Sequence, residues 1–281
     1  MLDALAAQLL LIRKRAASWI LLGFWMLVTV VFAYVLPYYA YKGDIRFRER
    51  TGGVLLSMLL PHNLVSSLLS GFPAFGGMFV LILAVLVMGS EFTWGTLTPV
   101  FTQKASRLKV FFSKIIALAI AIVPFVVMVY LLGFIASMLI ALKEGQSTQL
   151  PDLWLLVRAL AFSWFILSVW ASFGVVISVL SKGTALAIGL GLIWGLVLEG
   201  VISAFSQQIT LLGYISKAFL RTNGYSLIST LGVTFSGEGP GGFSGSMVSA
   251  TQAAIVLAIE IVIFLGAAAL IIRRRDVTGA G

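Results

Sequence analysis

Few side chains in this sequence can do chemistry, and their placement is unusual. There is no Cys and a single His, His62, set in Leu60-Pro61-His62-Asn63. Disulfides, thiol chemistry, Cys/His zinc sites and multi-His metal sites are therefore excluded. A Ser-His-Asp triad would have to use His62, and no G-x-S-x-G accompanies it. A polar turn at a membrane surface accounts for that residue. No G-x-x-x-x-G-K-[ST] occurs, so the chain has no P-loop of its own. Gly237-Glu238-Gly239-Pro240-Gly241-Gly242 reads as a flexible external loop, not a phosphate cradle. The ionisable groups of most interest are Arg158, Glu199 and Glu260, because each lies inside a long apolar run.

Such groups are costly in lipid and face protein or water. In the topology given below, at 1.5 Å rise per residue, Arg158 lies roughly 6 Å below the outer end of its helix, Glu199 roughly 9 Å and Glu260 roughly 14 Å. These depths allow one polar cluster. It can be a structural Arg158–Glu199 or Arg158–Glu260 pair, or part of a substrate or proton path, with snorkelling of Arg158 as the plainer alternative.

A second group of polar residues falls between two apolar runs. It reads Ser90-Glu91-Phe92-Thr93-Trp94-Gly95-Thr96-Leu97, continues to Ser106-Arg107, and ends at Lys114 where the next run opens. A carboxylate ends one span and cations begin the next. Gly95 permits close backbone packing, and Thr96 and Ser106 can cap short helices. The stretch 91–109 reads as an amphipathic elbow. Glu91, Lys104, Arg107 and Lys109 lie within reach of one another or of a partner protein. Plain hydrated charges at span ends would look the same.

The elements that hold these residues follow from composition. The 281 residues are 60% hydrophobic and 10% charged, with a mean hydropathy of +1.08. Soluble domains are about half apolar and a quarter charged, so a soluble enzyme is excluded. Six runs are long enough to cross a bilayer: about 17–40, 72–90, 115–141, 154–180, 184–205 and 251–272. They lack period-two alternation, so they are helices and not barrel strands. The expected fold is an all-α integral membrane protein with six transmembrane helices in a single domain, 1–281.

The net charge of +9 sits beside apolar spans, which suits anionic lipid headgroups and not nucleic acid. With both termini cytoplasmic, 11 Lys/Arg fall inside and 8 outside. The clusters that hug span ends, 13–15, 104–114 and 273–275, are inside. No cleavable signal peptide is apparent, because Arg13-Lys14-Arg15 follows the first apolar stretch instead of leading it. Residues 1–16 place Leu2, Leu5, Leu9 and Ile12 at helical spacing, as an interfacial helix ahead of span one. Residues 53–70, interrupted by Pro61-His62-Asn63, read as a broken, re-entrant or interfacial external helix. Residues 206–250 form an external segment whose start, 206–222, reads as another interfacial helix with Ile209, Leu212, Ile215 and Phe219 on one face.

The elbow resembles the permease subunits of type-2 ABC (ABC-2) exporters. Their pattern of Ser-Glu, Gly-Thr-Leu, Ser-Arg and a Lys opening the third helix is met here by Ser90-Glu91, Gly95-Thr96-Leu97, Ser106-Arg107 and Lys114. Length, six helices and the missing ATPase agree along the whole chain. Lys104-Ala105-Ser106-Arg107 departs from the Pro-Val-Ser-Arg of many members. The resemblance implies a homodimer, or a dimer with a similar permease, bound to two separate ATPase subunits in the cytoplasmic membrane. It implies that Glu91, Gly95, Thr96, Leu97, Arg107 and Lys114 couple the spans to the ATPase. No cofactor is expected on this chain, and ATP and Mg are expected on the partner. The family's dimer seam uses the first and fifth spans, which makes Gly191-x-x-x-Gly195 a candidate seam. Tight packing within one subunit is the equal alternative. Trp154, Trp164, Trp170 and Trp194, with Phe162 and Phe165, either line an apolar path or serve as anchors and packing.

Other readings are kept. A secondary, ion-coupled transporter would show an internal repeat, and none is visible between 1–140 and 141–281. An intramembrane enzyme would have only the acidic pair to work with. A non-transporting scaffold, or an ABC-2 permease for ions, glycans or metal-cofactor assembly, fits the same chain.

Overall fold

The computed structural model describes residues 2–43, 53–93, 107–206, 208–233 and 247–274, leaving the side chains of residues 2, 91–93 and 107 undescribed. All regular structure among the described residues is helical. Helix α1 (Leu2–Lys14) is followed by α2 (Ala16–Gly43), with a π turn at Val31–Val35. Two short helices come next, α3 (Gly53–Leu59) and α4 (Leu64–Leu69). A π turn at Phe72–Gly76 leads into α5 (Gly77–Thr93). The long helices α6 (Arg107–Lys143), α7 (Leu153–Ser181) and α8 (Thr184–Phe205) follow. The short α9 (Thr210–Ser216) and α10 (Leu220–Ser229) precede α11 (Ala250–Arg274).

Six of these segments are long and apolar enough to cross a membrane: Ala16–Gly43, Phe72–Ser90, Leu108–Lys143, Leu153–Ser181, Thr184–Phe205 and Ala250–Arg274. The chain is thus a multi-pass membrane protein. Each expected span has its counterpart within a few residues, except that the third begins earlier. With 37 residues, α6 is roughly 55 Å long at 1.5 Å per residue, well beyond a hydrocarbon core of about 30 Å. It also accommodates Pro124, which removes one backbone donor from its interior.

The second and fourth spans are the buried centre of the bundle, and the first, fifth and sixth are its mostly exposed periphery. Helices α5 and α7 lie along each other, and α8 and α11 pack on α7. Small residues make the central crossing close. A Cβ on Gly174 would stand 2.8 Å from the Leu81 carbonyl oxygen and 3.1 Å from the Ala84 methyl. Hydroxyls in the centre are satisfied locally, as backbone polar groups in lipid must be. Ser172 Oγ donates to the Val169 carbonyl (2.7 Å) and Ser178 Oγ to that of Val175 (2.8 Å).

The ends of the long helices carry ordinary stops. Asp152 caps α7 by accepting from Leu155 N–H at 3.2 Å, and Lys182 ends it in the left-handed region (φ 55). The 53–70 segment is broken, as expected. Leu60, before Pro61, is extended, which separates α3 from α4. His62 is exposed and shares a hydrogen bond with Asn63 Nδ2 (3.0 Å), as a polar turn would.

Between the fifth and sixth spans the structure departs from the single interfacial helix read over 206–222. There are two helices, and α10 is buried along its length. Only its first three residues fall inside that reading. Several of its polar residues are satisfied inside the fold. Asn223 Nδ2 donates to the Lys217 and Phe219 carbonyls (2.9 and 2.7 Å), and Ser226 Oγ donates to that of Thr222 (2.7 Å) while accepting from Val248 N–H (3.1 Å).

Candidate functional site

Two clusters of polar groups are built into the bundle. The first stands at the approach to the elbow. Of the proposed coupling residues, Gly95, Thr96 and Leu97 lie outside the described residues. Glu91 and Arg107 are placed in helices α5 and α6, with their side chains outside that description. Lys114 is described, and it is 3% exposed, buried one to two turns inside α6. Facing this region, Arg15 occupies the break between α1 and α2, where the backbone becomes extended (φ −76, ψ 117). Its guanidinium donates to the Leu86 carbonyl and, at 2.8 Å, to Ser90 Oγ. Trp19 Nε1 braces the break by donating to the Arg13 carbonyl (2.7 Å). The basic triplet that reads as lipid-facing thus sends one member into the protein. The start of the first span is thus fastened to the end of the second.

The second cluster lies between the fifth and sixth spans and α10. Ile193–Leu198 forms a π turn, and Glu199 follows it directly. In an α-helix, residues five apart point about 140° apart. The wider π turn brings them into line, and Trp194 Nε1 donates to Glu199 Oε1 at 2.9 Å. The other carboxylate oxygen accepts from Arg221 N–H at 2.9 Å. Glu199 is 1% exposed and Arg221 8%. The guanidinium also reaches the Gly195 carbonyl (3.4 Å) and lies 5.9 Å from the Tyr225 ring centre. Glu260, on α11, is within electrostatic reach of Glu199.

Of the three groups read as a polar cluster, the two carboxylates are within electrostatic reach of each other and Arg158 points elsewhere. Glu199 and Glu260 are brought together, and Arg221 of α10 is the cation that meets Glu199. Arg158 instead sits over the Phe162 ring, 5.8 Å from its centre, and is partly exposed. A sequence signal for Arg221 was present. A carboxylate in the middle of an apolar helix demands a counter-charge, and Arg221 is the second cation after it.

Gly191 and Gly195 of span five face side chains of the same chain. A Cβ on Gly191 would lie 2.7 Å from Leu81 Cδ2, and one on Gly195 would lie 2.6 Å from Trp170 Cη2. That is the packing alternative of the G-x-x-x-G reading. The tryptophans do not share one surface. Trp154 is exposed, Trp164 ties the fourth span to the third by donating to the Ala119 carbonyl (2.9 Å), and Trp170 is fully buried.

At the far ends of spans one and three, Lys42 meets Glu144 at 2.9 Å, and Tyr38 OH donates to the same carboxylate at 2.6 Å. The bond from Tyr38, and then that from Lys42, hold the Glu144 carboxyl below its ordinary value of 4.5. A depressed carboxyl contributes stability that is complete above the unfolded value and is lost as pH falls through the folded one. Glu144→Gln should therefore be less stable than wild type at neutral pH, by a small margin because its partner Lys42 is exposed to solvent screening. The two melting curves should converge in acid, and a gap that persists there would contradict the assignment.

No curated protein matches the chain. A family model described as protein of unknown function (DUF2705) matches residues 30–278. The match covers most of the chain, which belongs to the DUF2705 family.

Proposed function

We propose that this chain is the permease subunit of an ABC exporter of the ABC-2 type. It moves an amphipathic or hydrophobic substrate, such as a drug, a peptide or a lipid, across the cytoplasmic membrane. ATP is hydrolysed by a separate ATPase subunit, two copies per complex, and the permease pairs with a second copy of itself or a similar subunit. Both termini are cytoplasmic in this reading.

What carries the proposal is the residue pattern of the elbow, Ser90-Glu91, Gly95-Thr96-Leu97, Ser106-Arg107 and Lys114. The surroundings of the elbow suit a mechanical role. Lys114 is buried where the elbow rejoins the bundle, and Arg15 holds Ser90 where it departs. A push on the elbow would then be delivered to the first, second and third spans together, because a buried cation and a guanidinium bonded to a backbone carbonyl resist independent sliding. An elbow attached by loose, hydrated charges would absorb the same push.

The test is co-expression with any P-loop ATPase encoded by a neighbouring reading frame. The expected result is a complex whose ATPase activity drives transport. Glu91→Ala should leave the complex assembled and hydrolysing ATP, with transport lost. Transport at the wild-type rate in that variant, or failure of any ATPase to co-purify, would overturn the proposal.

A further inference from the structure

Span six carries a carboxylate that the fold leaves incompletely satisfied. Glu260 is half-buried, and its Oε2 is buried with no hydrogen-bond partner among the described residues. One turn along span five from Glu199, Ser203 is 5% exposed, and its Oγ also lacks a partner among the described residues. Glu199 and Ser203 share a helix face at i, i+4 spacing. The nearby Arg221 is directed to the fifth span, where its backbone N–H donates to Glu199 and its guanidinium reaches the Gly195 carbonyl. Glu260 lies within electrostatic reach of Glu199. A carboxylate held in a low-dielectric setting calls for a positive partner.

The wall beside these acids is aromatic. Phe264 lies one turn from Glu260 on the same face of span six. Its ring centre is 5.3 Å from that of Phe173, which is 6.1 Å from that of Trp194. Trp194 is the residue that donates to Glu199. The wall opens sideways. Trp194 is 38% exposed, and its neighbours Leu190 and Val197 are exposed too, on a helix whose free surface is apolar.

We infer that Glu260, Glu199, Ser203, Trp194, Phe173 and Phe264 form a binding site for a lipophilic organic cation that is reached from the apolar side of the bundle. The carboxylates balance the charge, and the rings receive the apolar body and add cation–π attraction. A small metal ion would need about six or more oxygen ligands, and this wall supplies mostly carbon. That the bound cation is also the transported substrate rests on the exporter reading. Binding itself does not.

The experiment is equilibrium binding of tetraphenylphosphonium to the full chain in lipid nanodiscs, without ATPase or nucleotide. The expected result is saturable binding that weakens about tenfold or more in Glu260→Gln and is unchanged in Arg158→Gln. Neutral triphenylphosphine oxide should not compete. If Glu260→Gln does not yield a monodisperse protein, Phe264→Leu replaces it, and the same weakening is expected there. Equal affinity in the variant, equal competition by the neutral oxide, or displacement by sodium or calcium at the same concentration as the phosphonium would each overturn the inference. Binding that behaves as expected while no ATPase co-purifies would overturn the exporter reading alone.

Discussion

Replacing Gly77 with leucine should destabilise the bundle by about 3 kcal/mol or more, at the upper end of overpacking effects. Gly77 opens α5 within the second span, and a Cβ there would overlap the indole of Trp170. The far end of the same indole lies against Gly195, where a Cβ would stand 2.6 Å from Cη2, so the ring is closely held at both ends. Trp170 is fully exposed to neither solvent nor lipid, at 0% relative exposure, and removing it in Trp170→Ala should cost about 3–5 kcal/mol. Trp170→Phe should be much milder, because Nε1 makes no hydrogen bond among the described residues. The decisive measurement is the double variant Gly77→Leu with Trp170→Ala in a reversible detergent-unfolding assay. The new leucine would occupy space the indole vacates, so the double variant should fall short of the summed losses by more than about 1 kcal/mol. Additive losses would mean that the two residues do not share that volume.

The second large effect is expected at Glu199. Glu199→Ala strands two donors, Trp194 Nε1–H and the Arg221 backbone N–H, and removes a carboxylate that interacts electrostatically with the buried Arg221 guanidinium. Breaking such a buried arrangement from one side costs about 3–5 kcal/mol. Glu199→Gln keeps a carbonyl that can accept one of the two donors, so about half of that loss should return. Arg158→Gln should stay within about 0.5 kcal/mol, as partly exposed positions generally do. If Arg158→Gln proved as damaging as Glu199→Ala, the pairing of Glu199 with Arg221 would not be the one that holds the fifth span to α10.

The two effects differ in how far the sequence foretold them. Glu199 stood out at once, because a carboxylate inside an apolar run is costly wherever it falls. Gly77 and Trp170 did not stand out. A Gly at the start of a span and a Trp within one are ordinary in membrane helices, and their 93-residue separation hides the contact. Arg221 is the same problem in a polar residue. The stretch Arg221-Thr222-Asn223-Gly224-Tyr225-Ser226 has the composition of a water-facing surface, yet it is buried, with Asn223 and Ser226 donating to nearby backbone carbonyls and Arg221 reaching that of Gly195.

What the amino-acid sequence determined by itself is the number of membrane crossings, their helical nature and their approximate limits. Those depend on runs of consecutive residues, and lipid leaves a backbone no alternative to bonding with itself inside each run. The break at Pro61 and the demand of Glu199 for a counter-charge are local in the same sense. The tertiary structure alone decided which spans form the centre, that Arg15 turns inward to Ser90, that Arg221 and not Arg158 answers Glu199, and that Gly191 and Gly195 receive Leu81 and Trp170. Each of these is a contact between segments distant in the chain. Its energy depends on helix rotation and on the π turn that realigns Trp194 with Glu199, and neither quantity is written in the order of the residues.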